Sequence, residues 1–371
     1  MNKKKFLGAL LAGIISLGMC PTDTNAATRA ELSAISVNQK GSNFKYWNKD
    51  SASFKALTAY VKDVTNPKSP NFIPVIDRIA VFDVDGTLIC ETTPSYFEWM
   101  LYLHRVLEDP EYNPTSEERL YAEKIREGIL KMGIPNPYPG GIKVELPKNI
   151  DRGEAAAQDK AFSGMTIPQY EEYVKTFMYT PTAGLKNLKW GEAFYMPMVE
   201  VVSYLNANKF KCFIVSGSDR QLLRTMVDGV LPFESDNIIG SDPSFLASHQ
   251  NGKDHLDYVF QKNNDEVVRG ELVLKDLKMN KVNLIVREIG KQPVLAFGNS
   301  SGDSSMFNYT ITNNKYKALA FSLLCDDTER ELGNIKKADK MRASCEKYGW
   351  IPVSMRDDFK TIYGDNVTRA K

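Results

Sequence analysis

Two aspartates stand one residue apart in Asp83-Val84-Asp85-Gly86-Thr87, directly after the apolar run Ile79-Ala80-Val81-Phe82. A short apolar run bounded by turn residues reads as a buried strand of a parallel sheet. Ligands of such sheets bind beyond the carboxyl ends of the strands. Side chains at i and i+2 of a strand share a face, so Asp83 and Asp85 can look into one site. One carboxylate can then serve as a nucleophile and the other as a proton donor and acceptor. Acids this close repel each other without a cation nearby. Mg2+ suits them, being a hard ion that takes carboxylates and water. Gly86 permits backbone that a side chain would block. Thr87 brings a hydroxyl that can hold an oxyanion or cap the next turn. The competing reading is an exposed turn, because D-x-D-G forms turns in many settings.

Two more apolar runs end in polar loops. Lys211-Cys-Phe-Ile-Val215 runs into Ser216-Gly217-Ser218-Asp219, and Pro293-Val-Leu-Ala-Phe297 runs into Gly298-Asn299-Ser300-Ser301-Gly302-Asp303. Between them Lys281 opens a helix expected over 280–290. Taken singly, these are a helix cap, a solvated lysine and a polar turn. Taken together, at strand ends and in this order, they fit a phosphoryl-transfer site, which needs a cation and charge-stabilising groups. In that reading Asp83 attacks phosphorus. Asp85 protonates the leaving oxygen and then activates water. Ser216 and the Gly217 N–H hold a phosphoryl oxygen, and Lys281 neutralises phosphate and nucleophile. Asp83, the Asp85 carbonyl oxygen and the 298–303 loop, through Asn299 and Asp303, hold Mg2+. Glu91, just beyond the first loop, either meets a substrate amine or is a solvated acid.

The chain has 371 residues and a formal net charge of +1, with no basic footprint for nucleic acid and no polyacidic tail. Its start is unusual. Met1-Asn-Lys-Lys-Lys5 is basic, Phe6 to Cys20 is apolar, and Thr24-Asn25-Ala26 is a small-x-small site. That is the pattern of a bacterial secretory signal peptide over residues 1–26. The apolar stretch is short for a membrane anchor, and no later stretch reads as a membrane span. Met19 before Cys20 disfavours a lipid anchor, so a periplasmic or secreted protein is expected. Four later cysteines can pair in an exported chain. Cys325 and Cys345 are the likelier pair, against an equally weighted reading of four reduced thiols. Only three histidines are present, His104, His249 and His255, and none sits in a motif, which argues against a histidine triad or zinc site.

The elements must place these loops together. An α/β fold with a parallel sheet is expected from the buried strands, with Ala318–Leu324 as a fourth and Ile351–Met355 as a fifth. A helix is expected around Phe54–Val64, another around 198–205 and a β-hairpin within 256–275. Residues 88–195 are rich in Tyr, Trp, Glu and Lys, with helical spacing near 95–107, 116–132 and 168–178 and a Pro/Gly loop at 134–141. A stretch of roughly 100 residues is too long for a simple crossover. It reads as an inserted, mainly helical module, leaving 27–87 and 196–371 for the core. Its aromatics Tyr96, Phe97, Trp99, Tyr102, Trp190 and Tyr195 can cage a choline-like cation, though rings at helical spacing more often fill a core.

The three loops and Lys281, in sequence order, resemble the four motifs of the haloacid dehalogenase-like (HAD) superfamily over residues 75–325. Ile73-Pro74, Arg78 to Asp83, Phe213 to Gly217, Phe297 to Ser300, Trp47-Asn48 and Gly349-Trp350 with Ser354 to Asp358 are similar to its exported phosphoserine phosphatase-like group. That group is similar in turn to bacterial phosphorylcholine phosphatases. The resemblance implies a Rossmann-like core, a C1-type cap that selects the leaving group, an aspartyl-phosphate and Mg2+ dependence. It implies a phosphatase acting on a small phosphorylated metabolite. Where the superfamily usually places an acid, this chain has Asn299, a neutral ligand, which predicts weaker metal binding. Asp303 is then a direct ligand or an acceptor for water or Lys281. The alternatives are a broad-specificity acid phosphatase, a phosphotransferase or phosphomutase, and a non-catalytic ligand-binding module. A dehalogenase does not need Asp85.

Overall fold

The computed structural model describes residues 26–91, 96–132 and 146–370. The expected signal peptide, but for Ala26, and the 134–141 loop lie outside the described residues. Seven strands form the main sheet: β1 Ile79–Phe82, β2 Lys211–Asp219, β3 Ile238–Ala247, β4 Val267–Leu274, β5 Leu295–Gly298, β6 Leu319–Leu324 and β7 Ile351–Ser354. Their order is β4-β3-β2-β1-β5-β6-β7. Every neighbouring pair is parallel except β3 with β4. From β1 the chain builds outward first through β2 and later, on the other side, through β5. The switch point, where such sheets bind ligands, therefore lies at the carboxyl end of β1.

The uninterrupted apolar run of β1 follows from burial on both faces, and all four residues are buried. Ile79 and Val81 join one core with Val215, Ile239 and Ala296. Ala80 and Phe82 join the other with Ile214 and Phe297. Phe82, Phe297 and Phe321 sit in register on three adjacent strands and stack at 4.6 and 5.0 Å.

The helices are α1 Ala52–Thr65, α2 Phe97–Leu107, α3 Ser116–Met132, α4 Ile150–Ala161, α5 Ile167–Met178, α6 Met196–Ala207, α7 Arg220–Val227, α8 Met279–Leu284, α9 Ser304–Ile311 and α10 Ile335–Tyr348. Helices α2 to α5 form the insertion between β1 and β2. Its two passages to the sheet run side by side. Cys90 N–H donates to Ala193 O, and Tyr195 N–H to Leu88 O, each at 2.8 Å. The insertion also meets β4, where Gly164 N–H donates to Arg269 O at 2.8 Å. Leading segment and tail join below: Asn48 N–H donates to Asp358 O at 2.7 Å, and Trp47 meets Phe359 edge-on at 4.9 Å. No described helix is long and apolar enough to cross a membrane.

Four expectations change. No hairpin lies within 256–275; Val267–Leu274 pairs instead with Ile238–Ala247, antiparallel and with irregular register. The helix expected over 280–290 begins at Met279 and widens into a π-type turn over Ile285–Ile289, closed by Gly290 at φ 68°. The fifth strand ends at Ser354, where Met355 opens a short helix. Cys325 and Cys345 form no disulfide, and the four described cysteines are buried. The Cys325 thiol faces Asn334 O at 3.5 Å, and Cys345 lies on α10.

Candidate active site

Asp83 is the first residue beyond β1. Its N–H donates to Phe297 O at 2.9 Å, which continues the ladder and fixes its backbone. Its Oδ1 accepts from Lys281 Nζ at 2.7 Å. The same ammonium donates to Asp303 Oδ1 and to Val215 O, both at 2.7 Å. All three of its N–H groups are thus used, on a side chain that is fully buried. Burial works against the charge on Lys281, but Asp303 and Asp83 outweigh it and raise its pKa. Burial, followed by the Asp303 charge, pushes Asp83 up to about 7 against the pull of Lys281.

Asp85 faces the same cavity. Its Oδ2 accepts from Ser218 Oγ at 2.7 Å. Burial and the neighbouring Asp83 push Asp85 up to about 8. A bound divalent cation acts on both groups in the opposite direction.

Asp303 anchors the 298–303 loop. Its Oδ2 accepts the N–H groups of Asn299 and Ser300, both at 3.0 Å. With Oδ1 on Lys281, both of its oxygens are engaged, which favours the indirect of the two expected roles. Asn299 Nδ2 donates to Glu91 Oε2, and Glu91 Oε1 accepts from Lys337 Nζ at 2.5 Å. Gly86, at φ 75°, makes room for this contact: a Cβ there would overlap Asn299 Nδ2 and Glu91 Oε2.

A cavity of ≈ 480 Å³ opens onto these groups. Of the residues singled out in the sequence, Asp83, Asp85, Glu91, Gly217, Lys281, Asn299 and Asp303 line it. Thr87 and Ser216 are fully buried and do not. Ser216 Oγ instead accepts the Ser218 N–H at 3.3 Å, and Thr87 Oγ1 has no hydrogen-bond partner among the described residues. The insertion contributes Tyr96, Glu98, Trp99 and Asp151 to the wall, with Tyr96 and Trp99 meeting edge-on at 5.2 Å. Phe97, Tyr102, Trp190 and Tyr195 are buried in the core.

Ser218, Lys275, Glu98 and Asp276 were not singled out from the sequence. The second serine of S-G-S-D was the available signal for Ser218. Glu98 Oε1 accepts the Asp219 N–H at 2.8 Å and its Oε2 pairs with Lys275 at 3.1 Å, so the insertion is tied to the loop after β2. Asp276 is buried with neither carboxylate oxygen hydrogen-bonded among the described residues, and burial pushes it up to about 7.

Among the described residues no three His, Cys, Asp or Glu side chains converge as a ready metal cage. The cavity-lining residues Asp83, Asp85 and Asn299 offer oxygen donors. Asn299 Oδ1 accepts no hydrogen bond among the described residues, its amide nitrogen being turned to Glu91. Hard oxygen donors of this kind, beside two acids held up by burial, fit Mg2+.

Strand order and switch point define an α/β protein with its polar cavity at the carboxyl end of β1. A family model for haloacid dehalogenase-like hydrolases matches residues 80–308, and the chain belongs to that family. No curated protein matches it. Among solved structures it is similar to a conserved protein of unknown function from Anaerococcus prevotii, with 14% identity, 87% of this chain and 97% of that chain covered, and a TM-score of 0.48. A protein of unknown function from Bordetella pertussis shows 12% identity, 74% and 97% coverage, and a TM-score of 0.44. A phosphoserine phosphohydrolase-like protein from Francisella tularensis shows 15% identity, 71% and 99% coverage, and a TM-score of 0.37.

Proposed function

We propose that the protein is an exported, Mg2+-dependent phosphomonoesterase acting on a small phosphorylated metabolite with a cationic leaving group, phosphoserine- or phosphorylcholine-like. The observation that carries this reading is the division of labour between the two aspartates: Asp83 held by Lys281, and Asp85 held by Ser218. Residues 88–195 act as the cap, over a core of 27–87 and 196–371.

The Asp83 carboxylate attacks phosphorus and the ester P–O bond breaks. Lys281 pulls Asp83 toward the ionised form that attack needs, against the effect of burial. Asp85, protonated through burial, gives its proton to the leaving oxygen. Ser218 occupies Asp85 Oδ2 and leaves Oδ1 for that transfer. The aspartyl-phosphate on Asp83 is then hydrolysed. Asp85, now a carboxylate, takes a proton from water as the water oxygen bonds to phosphorus, which releases phosphate and restores both acids. The Gly217 N–H lies on the cavity wall, where it can hold a phosphoryl oxygen. Asp83, the Asp85 carbonyl and Asn299 would hold Mg2+, which when bound would supply positive charge against the phosphoryl oxygens.

The leaving-group side is acidic. Asp83, Asp85, Glu91, Glu98, Asp151 and Asp303 line the cavity against Lys275 and Lys281. With the Tyr96 and Trp99 rings beside them, that wall suits an ammonium group.

The test is phosphate release from phosphorylcholine, phosphoserine, sugar phosphates and nucleotides, with and without Mg2+. Asp83→Asn is expected to abolish release while the thermal transition stays cooperative. Full activity in that variant removes Asp83 as nucleophile.

A further inference from the structure

An asparagine amide has two ends of nearly equal shape, one accepting and one donating. A cation can be held only by the oxygen. In a site where Asn299 replaces an acid, something must decide which end faces the cavity.

Glu91 occupies that place. An ionised carboxylate only accepts, so the contact of Glu91 Oε2 with the Asn299 amide fixes Nδ2 on the Glu91 side and Oδ1 away from it. Lys337 Nζ donates to Glu91 Oε1 at 2.5 Å, so the other carboxylate oxygen is left for the amide. Lys337 belongs to α10 and lies 246 residues from Glu91 in sequence, so the arrangement is built by the tertiary fold. The backbone under Asn299 is fixed independently by Asp303 Oδ2. Gly86 admits both side chains at this distance.

We propose that Glu91 is a positioning residue for the metal. It turns the Asn299 amide oxygen toward the cation and supplies, one bond behind, the negative charge that asparagine lacks. The proposal rests on the metal reading given above. It gives each Glu91 oxygen a partner within the protein. It also explains why an amide stands at 299. An aspartate there would set two carboxylates in contact, which is unfavourable. Partners placed behind a ligand in this way commonly change metal affinity 10- to 100-fold when removed.

The experiment is calorimetric titration of Mg2+ into substrate-free protein, with Mg2+-induced shifts in Tm as a second readout. Glu91→Gln is expected to weaken binding about 10-fold or more, because a glutamine can present either end to Asn299. Asn299→Asp alone is expected to bind no more tightly than wild type. The double variant Glu91→Gln with Asn299→Asp restores the acid and removes the repulsion, and is expected to recover wild-type affinity or better. A merely structural role for Glu91 predicts no such rescue. Wild-type affinity in Glu91→Gln, or tighter binding in Asn299→Asp than in the double variant, overturns the proposal while leaving the metal reading intact. A wild-type chain that binds no Mg2+ overturns the metal reading and this proposal with it.

Discussion

Asp85 sits in an environment far from water. Its carboxyl rises from 3.8 to about 8 because it is buried beside Asp83. The folded, metal-free protein therefore keeps a proton that the unfolded chain gives up. Stability from this group is full below about pH 4 and is lost as pH rises toward 8. Asp85→Asn is expected to raise Tm at pH 8 in the absence of metal and to change it far less at pH 4.5. Equal shifts at both pH values would contradict this. Mg2+ added to wild type at pH 8 is expected to narrow the gap. At this scale the sequence was informative wherever chemistry and strand end coincide, as at Asp83, Asp85, Lys281 and Asn299. It was less so for the S-G-S-D loop. The first serine is buried and the second reaches Asp85, and both lie at the end of β2 where its register with β3 shifts between Val215 and Asp219. Glu98 and Lys275 come from distant elements and meet only through the fold, so no spacing announces them.

Among the elements, β4 shows how the insertion is fastened to the sheet. Arg269 is fully buried and pairs with Asp159 of α4 at 2.7 Å and with Asp219 at 2.8 Å. Its guanidinium lies 3.8 Å from the Tyr170 ring centre. Asp219 in turn caps α7 by accepting the Leu222 N–H at 2.8 Å. Removing one partner of a buried ion pair leaves an uncompensated charge, so Arg269→Met is expected to cost about 3–5 kcal/mol in urea unfolding. A loss under about 1 kcal/mol would show that the carboxylates are solvated or protonated instead. Legibility differed among strands for a physical reason. Strands β1, β2 and β5 are covered on both faces and read as apolar runs. Strand β3 starts with Ile238-Ile239 but continues through Gly240, Ser241, Asp242 and Pro243 toward the edge, where its pairing is irregular. The apolar signal ends before the strand does. Helix α4 was missed because its buried face includes Glu154, Gln158 and Asp159, which read as polar surface in sequence.

Over the whole molecule the formal charge is nearly balanced, at +1, whereas the cavity is strongly acidic. The local field therefore differs in sign from what the net charge suggests. Phosphomonoesters with an ammonium leaving group are expected to have kcat/KM values roughly tenfold or more above isosteric neutral ones, a difference of about 1.4 kcal/mol. The preference is expected to shrink between low salt and about 0.5 M salt as screening grows. A preference for anionic leaving groups would instead mean that Lys275 and the metal dominate the wall. The α/β class and the inserted helical region were legible because apolar runs and turn loops recur in order. The closure of the insertion against β4 was not, because it depends on Arg269, one charged residue in an edge strand.

The insertion also bears on how the chain acquires this shape. In the central sheet Ile79 pairs with Lys211, and Ala80 with Leu295. The middle strand is thus made first and flanked last. Both partners lie more than a hundred residues further along the chain, and closing such long loops costs entropy before any pairing repays it. Helices α2 to α5 can gather from contiguous residues while β1 waits with both edges open. Refolding is therefore expected to be slow. Until β2 and β5 arrive, the strand that ends in the catalytic aspartates is the part of the chain most prone to pair with the wrong partner.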